Sequence, residues 1–325
     1  MKTEVLAMLQ EETYVSGQKI CDRLHVSRTA VWKMMKRLRE EGYEIEAVSN
    51  RGYCLKHIPD VITEEACLKE METSWAGRKI IYRDEVDSTN TLAKQKGEEG
   101  APHGTLIVAD MQTNGKGRLG RNWFIPKGQA IVMSLLLRPQ IEPQCASMLT
   151  LVAALAVSQA IKEKIGIEVQ IKWPNDIVYK GKKICGILTE MSAEMDVIHY
   201  IVVGIGINTG KIPFDKELEE KADTLYRITG NYFPRRILIS AVMKHFETYY
   251  EQFCQTGDLS LLQNIYEESL ANKNNQVRVL APGNEYTGEC LGITKNGELR
   301  VRDQSGTLQT VMSGEVSVRG IYGYV

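Results

Sequence analysis

Apolar and polar positions alternate in three different ways along this chain. Up to about residue 58, short amphipathic stretches with helical spacing give way to two strand-like runs. From about 62 to 270, long apolar strands are interleaved with amphipathic helices. Beyond about 275, short strands alternate with the turn residues Pro282-Gly283-Asn284, Asn296-Gly297, Ser305-Gly306 and Ser313-Gly314. Turn signals at roughly ten-residue spacing predict a small β-barrel. Pro59 and Pro282 stand near the two changes of texture. The pattern predicts three domains, 1–60, 61–272 and 273–325, of overall α/β (α+β) class.

In the first region Ser16 is placed as the N-cap of a helix running to about Leu24, with Ile20 and Leu24 on one face. The break His25-Val26-Ser27 follows, and Ser27 caps a second helix striped by Val31, Met34 or Met35, and Leu38. Gly42 sits at its C′ position. This is helix-turn-helix spacing. The second helix carries Arg28, Lys33, Lys36, Arg37 and Arg39, with no acid before Glu40. Arg28, Thr29, Trp32, Lys33 and Lys36 fall near its N-terminal and outer face, which enters the major groove in this motif. Tyr43, Ile45 and Ala47 then alternate with Glu44, Glu46 and Val48, and Asn50-Arg51-Gly52 turns into Tyr53-Cys54-Leu55. That hairpin is a wing whose Arg51 tip can touch phosphate. A solvated basic helix in a structural three-helix unit is the alternative, since acids elsewhere leave the region nearly neutral.

The central region contains a false lead. Gly115-Lys116-Gly117-Arg118-Leu119-Gly120 matches G-x-G-x-x-G and follows a strand over Thr105–Asp110. A dinucleotide site needs a helix to open there and an acid about twenty positions on. Instead Trp123, Pro126 and Gly128 interrupt the chain, and Ala130–Leu137 reads as a strand. What remains is a glycine-rich loop holding Lys116, Arg118 and Arg121. Either it closes over an anion through backbone amides and cationic side chains, or it is a mobile solvated loop. Further polar and glycine positions end apolar strands: Lys172-Trp173-Pro174-Asn175-Asp176 after Val169–Lys172, Lys183 to Leu188 after a Lys180-Gly181 turn, and Gly204-Ile205-Gly206-Ile207-Asn208. Asp87-Ser88-Thr89-Asn90 precedes a helix. Glycine weakens a strand unless a ligand or another backbone comes close, so Gly186, Gly204 and Gly206 are candidate walls of a slot, with bulges or tight packing as the alternative.

Composition narrows the setting. The chain has 325 residues, more than one compact domain usually holds. A net charge of −1 gives no whole-molecule field, so any nucleic-acid partner must be met by local clusters. No apolar run is read as long enough to span a bilayer, and Met1-Lys2-Thr3-Glu4 is too polar for a signal peptide, so no membrane role and a cytoplasmic location are expected. The seven cysteines are scattered without a CxxC pair, and the five histidines are dispersed, so neither a disulfide framework nor a protein-built metal site is expected.

Taken in order, Ser88-Thr89-Asn90, the loop 115–121, the KWPND run at 172–176, KxxGIL at 183–188 and GIGIN at 204–208 resemble the biotin–protein ligase family. With the winged helix in front, the chain is similar to family members that are both ligase and biotin operon repressor. The resemblance covers essentially the whole chain and implies a winged helix, a biotin/lipoyl-ligase-type mixed sheet and an SH3-like barrel. It implies that biotin and MgATP form biotinyl-5′-AMP, which serves as acyl donor and as corepressor. The implied partners are a biotin carboxyl carrier protein, biotin operator DNA and a second copy of the chain.

The resemblance also implies roles. Ser88, Thr89, Asn90 and Gln112 meet the ureido head of biotin. Gly186, Ile187, Leu188, Gly204 and Ile205 line its ring and tail. Lys183 meets the carboxylate and the α-phosphate, and Lys116, Gly117 and Arg118 wrap the adenylate. Trp123 stacks near the adenine, and Gly115, Arg121, Lys172, Asn175 and Asn208 lie on the nucleotide side. Asp176 is the candidate to orient or deprotonate the acceptor lysine, with a turn role or a magnesium contact as alternatives. The family loop reads Gly-Arg-Gly-Arg where this chain has Lys116, which keeps the charge but loses the planar fork. A lipoate ligase would share the central fold, but the loop and the winged helix argue against it. Lys183 and Arg118 argue against a sensor without ligase activity.

Overall fold

The structure, a computed structural model, describes residues 1–40, 43–49, 51–57, 60, 62–123, 125–194, 197–281, 284–313 and 317–320. Gly42, Asn50, Pro59, Pro282, Gly283 and Gly314, named above, lie outside the described residues. Residues 1–61 and 62–325 form two compact units.

In the first unit three helices, α1 (Lys2–Glu11), α2 (Gly17–Leu24) and α3 (Arg28–Glu40), precede a hairpin of β1 (Glu44–Val48) and β2 (Gly52–His57). Ser16 caps α2 by accepting from Lys19 N, and Ser27 caps α3 by accepting from Ala30 N. His25 ends α2 in the left-handed region, which turns the chain into α3. Val31, Met35 and Leu38 are buried, so Met35 rather than Met34 continues the stripe. On α2 Cys21 is buried beside Ile20, while Leu24 is only half-buried. The strand alternation is incomplete: Ile45 is buried but Ala47 is exposed. A bridge from Val15 to Tyr53 adds a third strand position to the hairpin. It requires Gly52, where φ is +106° and a Cβ would stand 2.2 Å from Val15 O.

The second unit is built on a seven-stranded mixed sheet. Helix α4 (Glu64–Glu70) leads to β3 (Lys79–Arg83), α5 (Thr89–Glu98) and β4 (Thr105–Ala109). The glycine loop folds as a small hairpin of β5 (Gly115–Lys116) and β6 (Asn122–Trp123), closed by a single 3-10 turn. No helix opens there, in keeping with the rejection of a dinucleotide site. Then come β7 (Ala130–Leu137), α6 (Met148–Ile165), β8 (Gln170–Lys172), β9 (Asp176–Tyr179), β10 (Lys182–Glu194) and β11 (Val197–Asn208). The sheet order is β3-β4-β7-β11-β10-β9-β8, with only β3 and β4 parallel. Helices α7 (Lys216–Lys221), α8 (Leu225–Thr229), α9 (Arg235–Thr256) and α10 (Gln263–Glu268) follow.

Period-two alternation divides the sheet into two faces. Ile131, Met133, Leu135 and Leu137 of β7 and Ile201, Val203, Ile205 and Ile207 of β11 join the main core with α6 and α9. The opposite face carries Ala130, Val132 and Ser134 on β7, Gly204 and Gly206 on β11, and Gly186, Leu188 and Glu190 on β10, next to α5. Helix α6 with its lead-in, Pro143–Ile165, is after all long and apolar enough to cross a membrane, contrary to the sequence expectation. It is mostly buried, as a core helix must be when a sheet covers one side and α9 the other.

The C-terminal strands β12 (Gln276–Ala281), β13 (Asn284–Ile293), β14 (Leu299–Asp303), β15 (Leu308–Val311) and β16 (Ser317–Gly320) form an antiparallel sheet in the order β15-β14-β13-β12-β16. Its buried Val277, Val279, Cys290, Leu299 and Val301 share the main core. The buried Trp173 indole donates to Gly297 O at 2.9 Å, and Ile293 N donates to Glu267 of α10 at 2.9 Å. The C-terminal sheet and the central sheet are therefore one packed unit.

Candidate functional site

Several distant stretches meet in a cavity of about 60 Å³ on the second face of the sheet. Ser88, Thr89 and Asn90 come from the start of α5, Gln112 from the segment after β4, and Lys116, Gly117, Arg118 and Trp123 from the glycine hairpin. Lys183, Gly186, Ile187 and Leu188 come from β10, Gly204 and Ile205 from β11, and Asn175 from the turn between β8 and β9. Gly115, Arg121, Lys172 and Asn208, assigned by resemblance to the nucleotide side, do not line it.

The cavity has an uncharged polar end. Gln112 Oε1 accepts from Thr89 N at 2.7 Å and stands 3.0 Å from Thr89 Oγ1. Ser134 Oγ lies 2.8 Å from Thr89 Oγ1 and 2.6 Å from Asn90 Oδ1. Asn90 Nδ2 donates to Glu190 at 2.7 Å, and Lys94 Nζ reaches the other Glu190 oxygen at 2.7 Å. Burial works to raise the Glu190 pKa, but the bonds from Lys94 and Asn90 outweigh it and hold the carboxyl below its ordinary value. Ser134, Glu190 and Lys94 escaped the sequence reading. The available signal was a lone serine inside the otherwise apolar Ala130–Leu137 run.

Cations gather at the other end. Lys183 Nζ pairs with the buried Asp176 at 2.6 Å and lies 5.4 Å above the Trp123 ring. Arg118 Nη1 donates to Asn175 Oδ1 at 3.0 Å, and Asn175 Nδ2 donates to Ile187 O at 3.0 Å. The glycine hairpin is thus pinned to the KWPND turn. Lys116 is exposed at the rim. Asp176 reaches this end of the site through Lys183.

The three glycine walls have a common cause. A Cβ on Gly206 would meet the Trp123 ring at 2.8 Å, one on Gly186 the Lys183 amine at 2.8 Å, and one on Gly204 Asn90 Oδ1 at 2.2 Å. Side-chain packing therefore crowds out a Cβ most firmly at Gly206, against the Trp123 ring, while at Gly186 the flexible end of Lys183 could give way; all three residues line the cavity. Gly115 is needed for the hairpin, since a Cβ would stand 2.3 Å from Trp123 O. Trp123 lies in the cavity, with its Nε1 buried and without a partner among the described residues. Asn208 Nδ2 donates to Asp223 O at 3.0 Å, while its Oδ1 is likewise without a partner among the described residues.

In the first unit Arg28, Thr29, Trp32, Lys33 and Lys36 are exposed along α3. Arg28 takes two bonds from its guanidinium to Gln18 Oε1, at 2.9 and 3.2 Å, which tie the start of α3 to α2. Trp32 is 56% exposed, too much for a packing role, with Lys36 5.9 Å from its ring. Arg51 lies 5.3 Å over Tyr14. Arg28 and Arg51 line one concavity between the start of α3 and the hairpin.

A mixed sheet with a slot polar at one end and cationic at the other, in a chain that also carries a helix-turn-helix, defines a ligand-processing protein equipped with a nucleic-acid reader. Three family models match: the HTH domain over residues 2–54, the biotin/lipoate A/B protein ligase family over 82–208, and the biotin protein ligase C terminal domain over 274–319. The chain is 39% identical over 307 residues to the bifunctional ligase/repressor BirA of Bacillus subtilis, covering 94% of each. It is 28% identical to the bifunctional ligase/repressor BirA of Escherichia coli, covering 97% of this chain and 96% of that one. A structure of the biotin protein ligase from Aquifex aeolicus in complex with biotin and ATP superimposes with a TM-score of 0.66 at 31% identity, covering 75% of this chain and 99% of that chain. This chain belongs to the biotin/lipoate A/B protein ligase family.

Proposed function

We propose that the protein is a biotin–protein ligase that is also the repressor of a biotin operator. The single observation that carries the ligase reading is the polarity of the cavity. Uncharged groups of Thr89, Asn90 and Gln112 line it beside Leu188 and Gly204, and the cations Arg118 and Lys183 meet it beside Asn175 and Gly186, with Lys116 at the rim. Biotin has a neutral bicyclic urea, an apolar body and a carboxylate tail in that order. The family match and the names of the relatives support the same ligand.

The carboxylate oxygen attacks the α-phosphorus of MgATP, forming biotinyl-5′-AMP as the bond to pyrophosphate breaks. Two anions must meet, so Lys183, Lys116 and Arg118 neutralise and align them. The acceptor lysine, on a biotin carboxyl carrier protein, then attacks the acyl carbon as a free amine, and AMP leaves. Asp176, which does not line the cavity but pairs with Lys183 at 2.6 Å, is the candidate carboxylate to orient or deprotonate that amine. Trp123, Gly115, Gly117, Arg121, Lys172, Asn175 and Asn208 are assigned to the nucleotide side. Gly186, Ile187, Leu188, Gly204 and Ile205 are assigned to the ring and tail.

For the repressor role, Arg28, Thr29, Trp32, Lys33 and Lys36 are the candidate groove contacts, and Arg51 a phosphate contact. Operator binding as a homodimer, with biotinyl-AMP as corepressor, and a cytoplasmic location complete the proposal. Pyrophosphate release from ATP is the test. Release that depends on biotin, with none from lipoate, is expected. Release with lipoate alone, or none with biotin, would overturn the ligase assignment.

A further inference from the structure

The hydrogen bonds beneath the cavity form a chain whose direction is fixed at Asn90, whose Nδ2 donates to Glu190 at 2.7 Å and, over a longer 3.3 Å, to Leu188 O. A carboxylate only accepts, so the bond from Asn90 to Glu190 turns the Asn90 nitrogen toward Glu190 and its oxygen toward Ser134. An amide oxygen also only accepts, so the single proton of Ser134, a fully buried residue of β7, is committed to Asn90 Oδ1 at 2.6 Å. Ser134 therefore has no proton to give Thr89 Oγ1, 2.8 Å away. The Thr89 proton turns to Ser134 Oγ or to Gln112 Oε1 and is not offered to a ligand. Thr89, which lines the cavity, is left with only lone pairs on Oγ1 to offer a ligand. The strand register makes room for this: Gly204 is the cross-strand neighbour of Ser134, and any larger residue there would displace Asn90.

We propose that Glu190, held by Lys94, is a positioning residue whose bond to Asn90, shorter than the one to Leu188 O, sets the direction of this chain and thereby makes Thr89 Oγ1 an acceptor for a ligand N–H. Asn90 then acts through Ser134 and Thr89 rather than on the ligand itself. With biotin as the ligand, a reading this inference rests on, Thr89 accepts from a ureido N–H.

Glu190→Gln tests the direction. Lys94 keeps the new amide oxygen, so the new amide nitrogen faces Asn90, and the Asn90 amide flips at the expense of its longer bond to Leu188 O. Ser134 then receives from Asn90 and donates to Thr89, whose lone pair is occupied. The KM for biotin in pyrophosphate release should rise about tenfold or more, the cost of an unmatched buried donor, while kcat stays within about twofold. Lys94→Met alone should leave KM within about threefold of wild type, because the carboxylate still accepts from Asn90. Combined with Glu190→Gln, it frees the new amide to turn its oxygen to Asn90, and KM should fall back toward wild type. An unchanged KM in Glu190→Gln, or a double variant no better than the single one, would overturn the inference while wild-type turnover with biotin stands. A wild type that shows no biotin-dependent turnover would overturn the ligand assignment, and this inference with it.

Discussion

Lys183 is held in place by the protein before any ligand arrives. Its amine pairs with Asp176 at 2.6 Å and overhangs the Trp123 ring, so its position costs little further ordering when an anion binds. Lys183→Ala removes a charge-assisted contact to the developing phosphorane, typically about 2.7–4 kcal/mol in an oxyanion-type site. It also strips Asp176 of that cation. Adenylate formation should slow by roughly a hundredfold or more, and near-normal rates in single-turnover assays would remove Lys183 from the site. Gly204 offers a second residue-scale test. Gly204→Ala places a methyl group 2.2 Å from Asn90 Oδ1, an overpacking that costs about 1–3 kcal/mol. Thermal melts should show that loss together with weakened biotin binding, and an unshifted melt would mean that α5 yields freely.

The glycine hairpin is the element on which retention of an intermediate depends. It meets the KWPND turn through Arg118 and Asn175, and it carries Trp123 into the cavity. Arg118→Gly removes that clamp and loosens the backbone at once. The variant should still form biotinyl-AMP but release it, and the escaped adenylate acylates lysines indiscriminately. Streptavidin blots of cells expressing it should then reveal many labelled proteins; labelling confined to one acceptor would count against a closing role. The KWPND run itself divides between chemistry and architecture. Asn175 and Asp176 turn to the site, while Trp173 is buried and bonds to Gly297 of the C-terminal sheet. A sequence motif read as a binding signature is partly a domain joint.

At the scale of the molecule, one recognition helix reads one half-site, so the proposed operator binding calls for the proposed homodimer. On the proposed corepressor reading, closing the hairpin over biotinyl-AMP orders in advance what assembly would otherwise have to order. That coupling should favour the dimer by about 1–3 kcal/mol. Sedimentation with and without a non-hydrolysable biotinyl-AMP analogue measures it, and an identical monomer–dimer constant would sink the corepressor model. Deleting residues 1–60 should abolish operator gel shifts and leave most ligase activity, because residues 62–325 carry their own core. A deletion that still shifts operator DNA would exclude α3 as the reader.

Local pattern determined a great deal by itself. Caps at Ser16 and Ser27, the α3 stripe, the strands around 105–109, 130–137 and 200–208, and the breaks that exclude a dinucleotide loop all follow from neighbours in sequence. So do the residue types that converge on the cavity, because turn chemistry and strand periodicity are short-range. Pairing across the sheet is not short-range. Only the register that sets Ser134 opposite Gly204 brings Glu190, Asn90 and Thr89 into one chain of bonds. Only packing decided that the glycine walls answer to Trp123, Lys183 and Asn90, and that an apolar helix long enough for a bilayer is instead the centre of the core. The direction of a hydrogen bond depends on which partners meet, and that is fixed when the strands are paired.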